Sequence, residues 1–261
     1  MKVVLFCGGL GTRLREHSDT IPKPLVSIGS RPILWHLMRY YAHFGHKDFI
    51  LCLGYRGEQI REYFLKYQET ATNDFVMSEG GRRIELMSSD IQDWRITFAD
   101  TGLHSNIGQR LLRVRKFVEG EEMFLANYAD GLSNLPLDRH IETFNASDAI
   151  AHFIAVRTSQ SFHAVHADAG GVVTSFGQLS DAEFWINGGF FCFRPQIFDY
   201  VQEEEELVEQ PFDRLIAQRS LTVERYSGFW QQMDTFKDKI TYDRMEAAGN
   251  CPWMVWRDRP A

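Results

Sequence analysis

Apolar runs of strand length recur along the chain at Val3–Phe6, Phe49–Leu53, Ile96–Phe98, Met123–Ala126 and Ile150–Val156. Between several of them the apolar positions change to helical spacing. Ile33, Leu34, Leu37, Met38 and Tyr41 form one buried stripe, and Ile60, Tyr63, Phe64 and Tyr67 form a second. Strand, helix, strand, helix predicts an α/β fold with a mainly parallel sheet flanked by helices. Right-handed crossovers in such a sheet place a ligand at the carboxyl ends of the strands.

Residues 68–94 break this rhythm. Glu79-Gly80-Gly81-Arg82-Arg83 lies between two weakly alternating stretches, which predicts a hairpin-like β insertion. Further on, Phe190–Phe193 and Thr222–Glu224 read as strands, and Phe212–Arg219 and Lys237–Ala248 as helices. The acidic run Glu203–Glu206 reads as a solvated helix face or turn rather than a metal site. Without repeats or a low-complexity linker, residues 1–261 are expected to form a single domain.

The first strand feeds Cys7-Gly8-Gly9-Leu10-Gly11-Thr12-Arg13-Leu14, and Pro22-Lys23-Pro24 follows. Gly8, Gly9 and Gly11 allow a sharp turn that brings backbone N–H groups up to an anion. Arg13 and Lys23 add fixed positive charge, and the flanking prolines stiffen the chain that holds Lys23. This is not a Walker loop, which needs Gly-Lys-Ser/Thr where Gly11-Thr12-Arg13 stands. Nor is it the dinucleotide fingerprint, which needs a glycine in place of Leu14. A nucleotide-phosphate loop of another kind is left, beside the plainer alternative of a turn linking strand to helix.

Composition narrows the partners. The chain has 261 residues, 44% of them hydrophobic, and a formal charge of -7 with no basic cluster, which argues against nucleic acid but not against a small anion held by a few local cations. Cys7, Cys52, Cys192 and Cys251 are far apart and three lie in apolar runs, as buried thiols in a reducing cytosol would. No apolar stretch approaches the roughly 20 residues that cross a bilayer, and Met1-Lys2 leads directly into a strand rather than a signal peptide. A soluble cytoplasmic protein is expected.

Longer motifs carry a resemblance. Beyond the loop and Pro22-Lys23-Pro24 they are Ile33-Leu34-Trp35-His36, Cys52-Leu53-Gly54-Tyr55-Arg56-Gly57, Asp100-Thr101-Gly102 and Tyr128-Ala129-Asp130-Gly131. Later come Trp185-Ile186-Asn187-Gly188-Gly189-Phe190-Phe191 and Gly228-Phe229-Trp230-Gln231-Gln232-Met233-Asp234-Thr235. With these the chain resembles, over nearly its whole length, the sugar-1-phosphate nucleotidylyltransferases, and among them the glucose-1-phosphate cytidylyltransferases.

The resemblance implies a Rossmann-like nucleotide-diphospho-sugar transferase fold and CMP transfer from CTP to a phosphorylated small molecule, glucose 1-phosphate by default, with release of pyrophosphate. It also implies that the Gly8–Thr12 backbone and Arg13 hold the β- and γ-phosphates, that Lys23 stabilises the α-phosphate, and that Asp130 and Asp234 share one Mg²⁺. Read from sequence alone, Asp130-Gly131 is also compatible with a simple turn and Asp234 with a helix N-cap. By the same resemblance Ser105 and Gly108 belong to the cytosine-binding loop, Asn187, Gly188 and Gly189 line the acceptor pocket, and the protein is a homo-oligomer.

Departures from the family pattern fall in two places. Ile107 and Gln109 stand where the base loop usually has threonine and glycine. Phe176-Gly177-Gln178-Leu179-Ser180 replaces Phe-Lys-Glu-Lys-Pro, whose lysine binds the acceptor's phosphate, and no lysine lies between Lys116 and Lys237. Arg157, Arg194, His163 and His166 are the candidate substitutes. The readings that compete are a different phosphorus-containing acceptor and a non-catalytic regulatory homologue. A nucleotide-sugar-using glycosyltransferase is disfavoured because no Asp-x-Asp motif follows a central strand.

Overall fold

The computed structural model of the chain describes residues 1–9, 21–157, 163–178 and 184–257. Lys2–Phe6 runs through the centre of an eight-stranded sheet, parallel to Asp48–Leu53 on one side and Phe124–Tyr128 on the other. Arg95–Asp100 continues the parallel set beyond Asp48–Leu53. Past Phe124–Tyr128 the sheet becomes mixed: Phe191–Phe193 is antiparallel to that strand and to Ala151–Val156. Ile186–Asn187 also lies antiparallel on Ala151–Val156, and Leu221–Tyr226 lies parallel to it. The expected parallel sheet flanked by helices is present, joined to a mixed second half.

The unbroken apolar runs follow from cover on both faces. Val3 and Leu5 enter one core with Phe49, Leu51 and Leu125, while Val4 and Phe6 enter the other with Ile50, Cys52 and Phe124. The helices Ile33–His43, Gly57–Leu65 and Leu137–Asn145 pack on the first face. Ile107–Val118 and Gln210–Ala217 pack on the second. The helix Phe236–Ala247 adds Tyr242 to the first core. Among the described residues no helix is long and apolar enough to cross a membrane.

The central strand's two parallel neighbours are reached by opposite routes: the chain moves outward through Asp48–Leu53 and Arg95–Asp100, then returns to Phe124–Tyr128. The carboxyl ends of Lys2–Phe6 and Phe124–Tyr128 therefore flank a topological switch point, the position where such sheets leave a crevice.

Within residues 68–94, Phe75–Ser78 pairs antiparallel with Arg83–Leu86 around a Glu79–Gly81 turn, with every strand position exposed. A second hairpin pairs His163–Ala167 with Val173–Gln178. Tyr67 departs from its expected helical stripe, because the helix ends at Leu65. Its ring instead lies 4.2 Å under the Arg31 guanidinium, and its hydroxyl donates to Asp90 at 2.9 Å. Arg31 and Asp90 form a buried ion pair at 3.2 Å, and Tyr67 satisfies part of the polar demand of that pair.

Candidate active site

Lys23 opens a short 3₁₀ turn, Lys23–Leu25, between Pro22 and Pro24. Its ammonium lies 2.5 Å from a carboxylate oxygen of Asp130 and 2.5 Å from one of Asp234. All three side chains are 13–18% exposed. Burial alone would pull the ammonium's pKa down, but the Asp130 and Asp234 carboxylates outweigh it and hold the value above that of an ordinary lysine. Lys23 is therefore a permanent cation at the crevice.

Asp130 and Asp234 are brought together by a three-residue ladder. Gly131–Ser133 pairs antiparallel with Trp230–Gln232, with Gln232 opposite Gly131. The Met233 N–H donates to the Asp130 carbonyl at 2.8 Å, so Asp234 falls beside Asp130. Gln232 Nε2 donates to both Asp130 carboxylate oxygens, at 3.3 and 3.4 Å. The simpler reading of Asp234 as an N-cap gives way here. Thr235 caps the following helix in a reciprocal box with Asp238, which leaves the Asp234 carboxylate to Lys23.

A cleft of about 290 Å³ lies over this group, lined by Phe6, Cys7, Gly9, Pro24, Ile107, Tyr128 and Ala129 together with Lys23, Asp130 and Asp234. Gly9 faces it. Gly8 answers a different demand: a Cβ there would lie 2.1 Å from the Arg110 guanidinium, which donates to the Gly8 carbonyl at 2.8 Å. Arg110 also donates to Leu53 O, Gly102 O and Thr101 Oγ1, tying the start of the glycine-rich loop to the ends of the two neighbouring strands. Gly11, Thr12 and Arg13 lie outside the described residues.

Of the residues expected around the base, Ile107 reaches the cleft, whereas Ser105 and Gly108 are not in its lining. Ser105 donates to Thr101 O and accepts from Arg113. A Cβ on Gly108 would meet the Glu205 carbonyl at 2.2 Å, so the close approach at this glycine is made by the acidic turn. The departure at Gln109 has a local cause as well. With Asn106 it forms a capping box, Gln109 N to Asn106 Oδ1 at 2.8 Å and Asn106 N to Gln109 Oε1 at 3.0 Å, which fixes the helix start.

Of the residues expected around the acceptor, Asn187 donates to the Tyr128 hydroxyl at 3.1 Å and accepts from Gly189 N at 2.9 Å. Gly189 has φ +74° and abuts Asn127 Oδ1, and Gly188 O accepts from Trp230 Nε1 at 2.8 Å. Tyr128 thus connects the Asn187–Gly189 loop to the cleft; burial raises its hydroxyl's pKa. Arg194 is removed as a substitute for the missing lysine: it donates to the Ser147 and Ala149 carbonyls and lies over the Phe144 ring. Arg157 is exposed and lies 5.4 Å from the centre of the Trp185 ring, which precedes the Asn187–Gly189 loop, with Arg225 on the same ring at 5.5 Å. His166 is on an exposed hairpin, and the His163 side chain lies outside the described residues.

Gly9 at the switch point of a parallel sheet lines one cleft with a lysine between two carboxylates, the place where α/β sheets of this kind bind their ligands. Residues 2–248 match the family model described as "Nucleotidyl transferase". The glucose-1-phosphate cytidylyltransferases of Salmonella typhi and Salmonella typhimurium are each 39% identical over 259 residues, covering 98% of this chain and 100% of theirs. The solved structure of a UDP-glucose pyrophosphorylase complexed with UDP-glucose shares the fold, with a TM-score of 0.68 at 12% identity over 95% of this chain and 98% of the other. The chain belongs to the nucleotidyl transferase family, as a member of its sugar-1-phosphate branch related to the glucose-1-phosphate cytidylyltransferases.

Proposed function

We propose that this chain transfers CMP from CTP to glucose 1-phosphate and releases pyrophosphate. The observation that carries this reading is Lys23 held between Asp130 and Asp234 beside Gly9, in a chain 39% identical over its length to glucose-1-phosphate cytidylyltransferases. The donor set fits a hard divalent cation: two carboxylates converge on one point, where the Lys23 ammonium stands in for the ion. Mg²⁺ held by Asp130 and Asp234 supplies charge neutralisation and orientation for the triphosphate.

The remaining work belongs to the chain's own groups. A phosphate oxygen of the acceptor attacks the α-phosphorus while the bond to the β-phosphate oxygen breaks, so two anions must be brought in line. The phosphate loop at Gly8 and Gly9, continuing through Gly11, Thr12 and Arg13, receives the β- and γ-phosphates. Lys23, once its carboxylates are otherwise neutralised, turns its ammonium to the α-phosphate. Ser105 and Gly108 act on the base side, and Asn187, Gly188 and Gly189 orient the acceptor.

CTP is expected to raise the melting temperature and to drive pyrophosphate release more than UTP, dTTP or ATP. Stronger stabilisation and faster release with dTTP would overturn the base assignment.

The absent family lysines favour a second reading, in which another phosphorus-containing acceptor is used. A charge-assisted contact is worth about 1.5–3 kcal/mol, so Leu179→Lys should raise kcat/KM for glucose 1-phosphate about tenfold if that contact is limiting. High wild-type efficiency that Leu179→Lys leaves unchanged would make Arg157 or Arg225 the sufficient cation and glucose 1-phosphate the natural acceptor.

A homo-oligomer fits the two exposed hairpins. Met77, Ile84 and Met87 on one, and Val173 and Phe176 on the other, are each more than half exposed, and a lone two-stranded arm gains little stability in water. Four free cysteines, three of them buried, suit a cytoplasmic setting.

A further inference from the structure

The Ile150–Val156 run contains one polar residue, His152, that the proposed chemistry does not use. It is buried on the strand Ala151–Val156, with Glu224 on the paired strand and His140 on the Leu137–Asn145 helix. The two imidazole centres are 4.5 Å apart, and one potential ligand atom from each of the three residues lies within 4.8 Å of the others.

The hydrogen bonds set the tautomers. His140 Nε2 faces the Phe190 carbonyl at 2.9 Å, which only accepts, so Nε2 carries hydrogen and Nδ1 is turned to Glu224 at 2.8 Å. His152 Nδ1 meets Thr222 Oγ1 at 2.8 Å, and that hydroxyl donates onward to the Ala151 carbonyl at 3.5 Å. Nδ1 therefore carries hydrogen, and His152 Nε2 is left as a buried lone pair without a hydrogen-bond partner among the described residues. An unpaired buried acceptor is costly. Each imidazole thus has one nitrogen anchored by an orienting bond, as in metal-ligating histidines, while the other nitrogen faces the Glu224 carboxylate in His140 and has no hydrogen-bond partner among the described residues in His152.

We propose that His140, His152 and Glu224 form a structural site for a first-row divalent transition ion of the zinc class, separate from Asp130 and Asp234. Two neutral imidazoles and a carboxylate suit Zn²⁺ or Co²⁺ and not Mg²⁺, which prefers oxygen donors. The Glu224 side chain, 22% exposed, provides the route of entry. Because His140 also holds the carbonyl of Phe190, which has φ +52° directly after Gly188-Gly189, the ion braces the loop carrying Asn187.

The test uses full-length protein stripped with a chelator. Titration with Co²⁺ should give visible absorption bands saturating at one equivalent, displaced by Zn²⁺ and not by millimolar Mg²⁺. Zn²⁺ at about 100 times its Kd should raise the melting temperature by about 5 °C or more. His152→Leu and Glu224→Gln should each abolish the bands while the far-ultraviolet circular dichroism is retained. In case either variant fails to fold, the imidazole ¹⁵N spectrum of the wild type provides a second readout, in which Zn²⁺ should shift two of the nine histidine rings. No Co²⁺ bands and no Zn²⁺ stabilisation, or bands that persist in the variants, would overturn the site and leave a proton between His140 and Glu224 as the only occupant.

Discussion

Lys23→Ala is expected to lower turnover by about two to three orders of magnitude, the scale for losing one preorganised electrostatic stabiliser. The ammonium is held by two carboxylates and by a turn between two prolines, so little reorganisation is needed when charge develops on the α-phosphate. While both carboxylates hold it, its pKa stands above the ordinary lysine value, so without a bound cation the ammonium stays charged through the neutral range and beyond.

Removal of Lys23 also leaves Asp130 and Asp234 facing each other. The variant should melt lower than wild type at low Mg²⁺ and recover most of the difference as Mg²⁺ is added, which separates lost charge balance from lost fold. Lys23→Arg keeps the charge but spreads it over a planar fork, and should fall between wild type and Lys23→Ala. Pyrophosphate release under saturating CTP is the measurement, and a Lys23→Ala rate within a few-fold of wild type would place the α-phosphate contact elsewhere.

The central strands were readable from the chain because cover on both faces makes their sequences almost wholly apolar: Val3–Phe6 and Phe49–Leu53 carry no polar residue. The glycine loop and Lys23 were readable for a related reason, since a position such as Gly8, where a Cβ would strike the Arg110 guanidinium, and a proline-flanked lysine use residue types that little else demands. The ladder between Gly131–Ser133 and Trp230–Gln232 was not, because three residues with two glutamines show no alternation. That ladder is what positions Asp234, so the pairing of the two acids rested on motif resemblance until the geometry was seen.

Arg110 did leave a signal. It lies among Ile107, Leu111 and Val114 on an otherwise apolar stripe, and a charge there requires several fixed acceptors. Gly108 and Gln109 carry local packing that the base-loop pattern did not signal: a close approach of the Glu205 carbonyl at Gly108, and at Gln109, which stands in place of the family's glycine, a helix cap. The His140, His152 and Glu224 group depends on which strands pair, and sequence spacing does not encode that.

Asp130→Asn and Asp234→Asn should each reduce kcat/KM by roughly a hundredfold, equivalent to about 3 kcal/mol, and raise the Mg²⁺ concentration for half-maximal rate at least tenfold. Asparagine keeps the size and one carbonyl oxygen, so the effect isolates charge. The Asp130 backbone carbonyl still accepts from Met233, and the Thr235–Asp238 cap does not involve Asp234's carboxylate, so both variants should fold. Either one leaves a single carboxylate for Lys23, and that remaining pair holds the ammonium more tightly to one partner while offering the cation a weaker site. The double variant should therefore cost much less than the product of the two single effects, because both acids act on one shared cation position. Single variants whose Mg²⁺ dependence matches wild type would mean that Asp130 and Asp234 serve Lys23 alone, and effects that multiply independently would mean that the two acids do not act on one shared position.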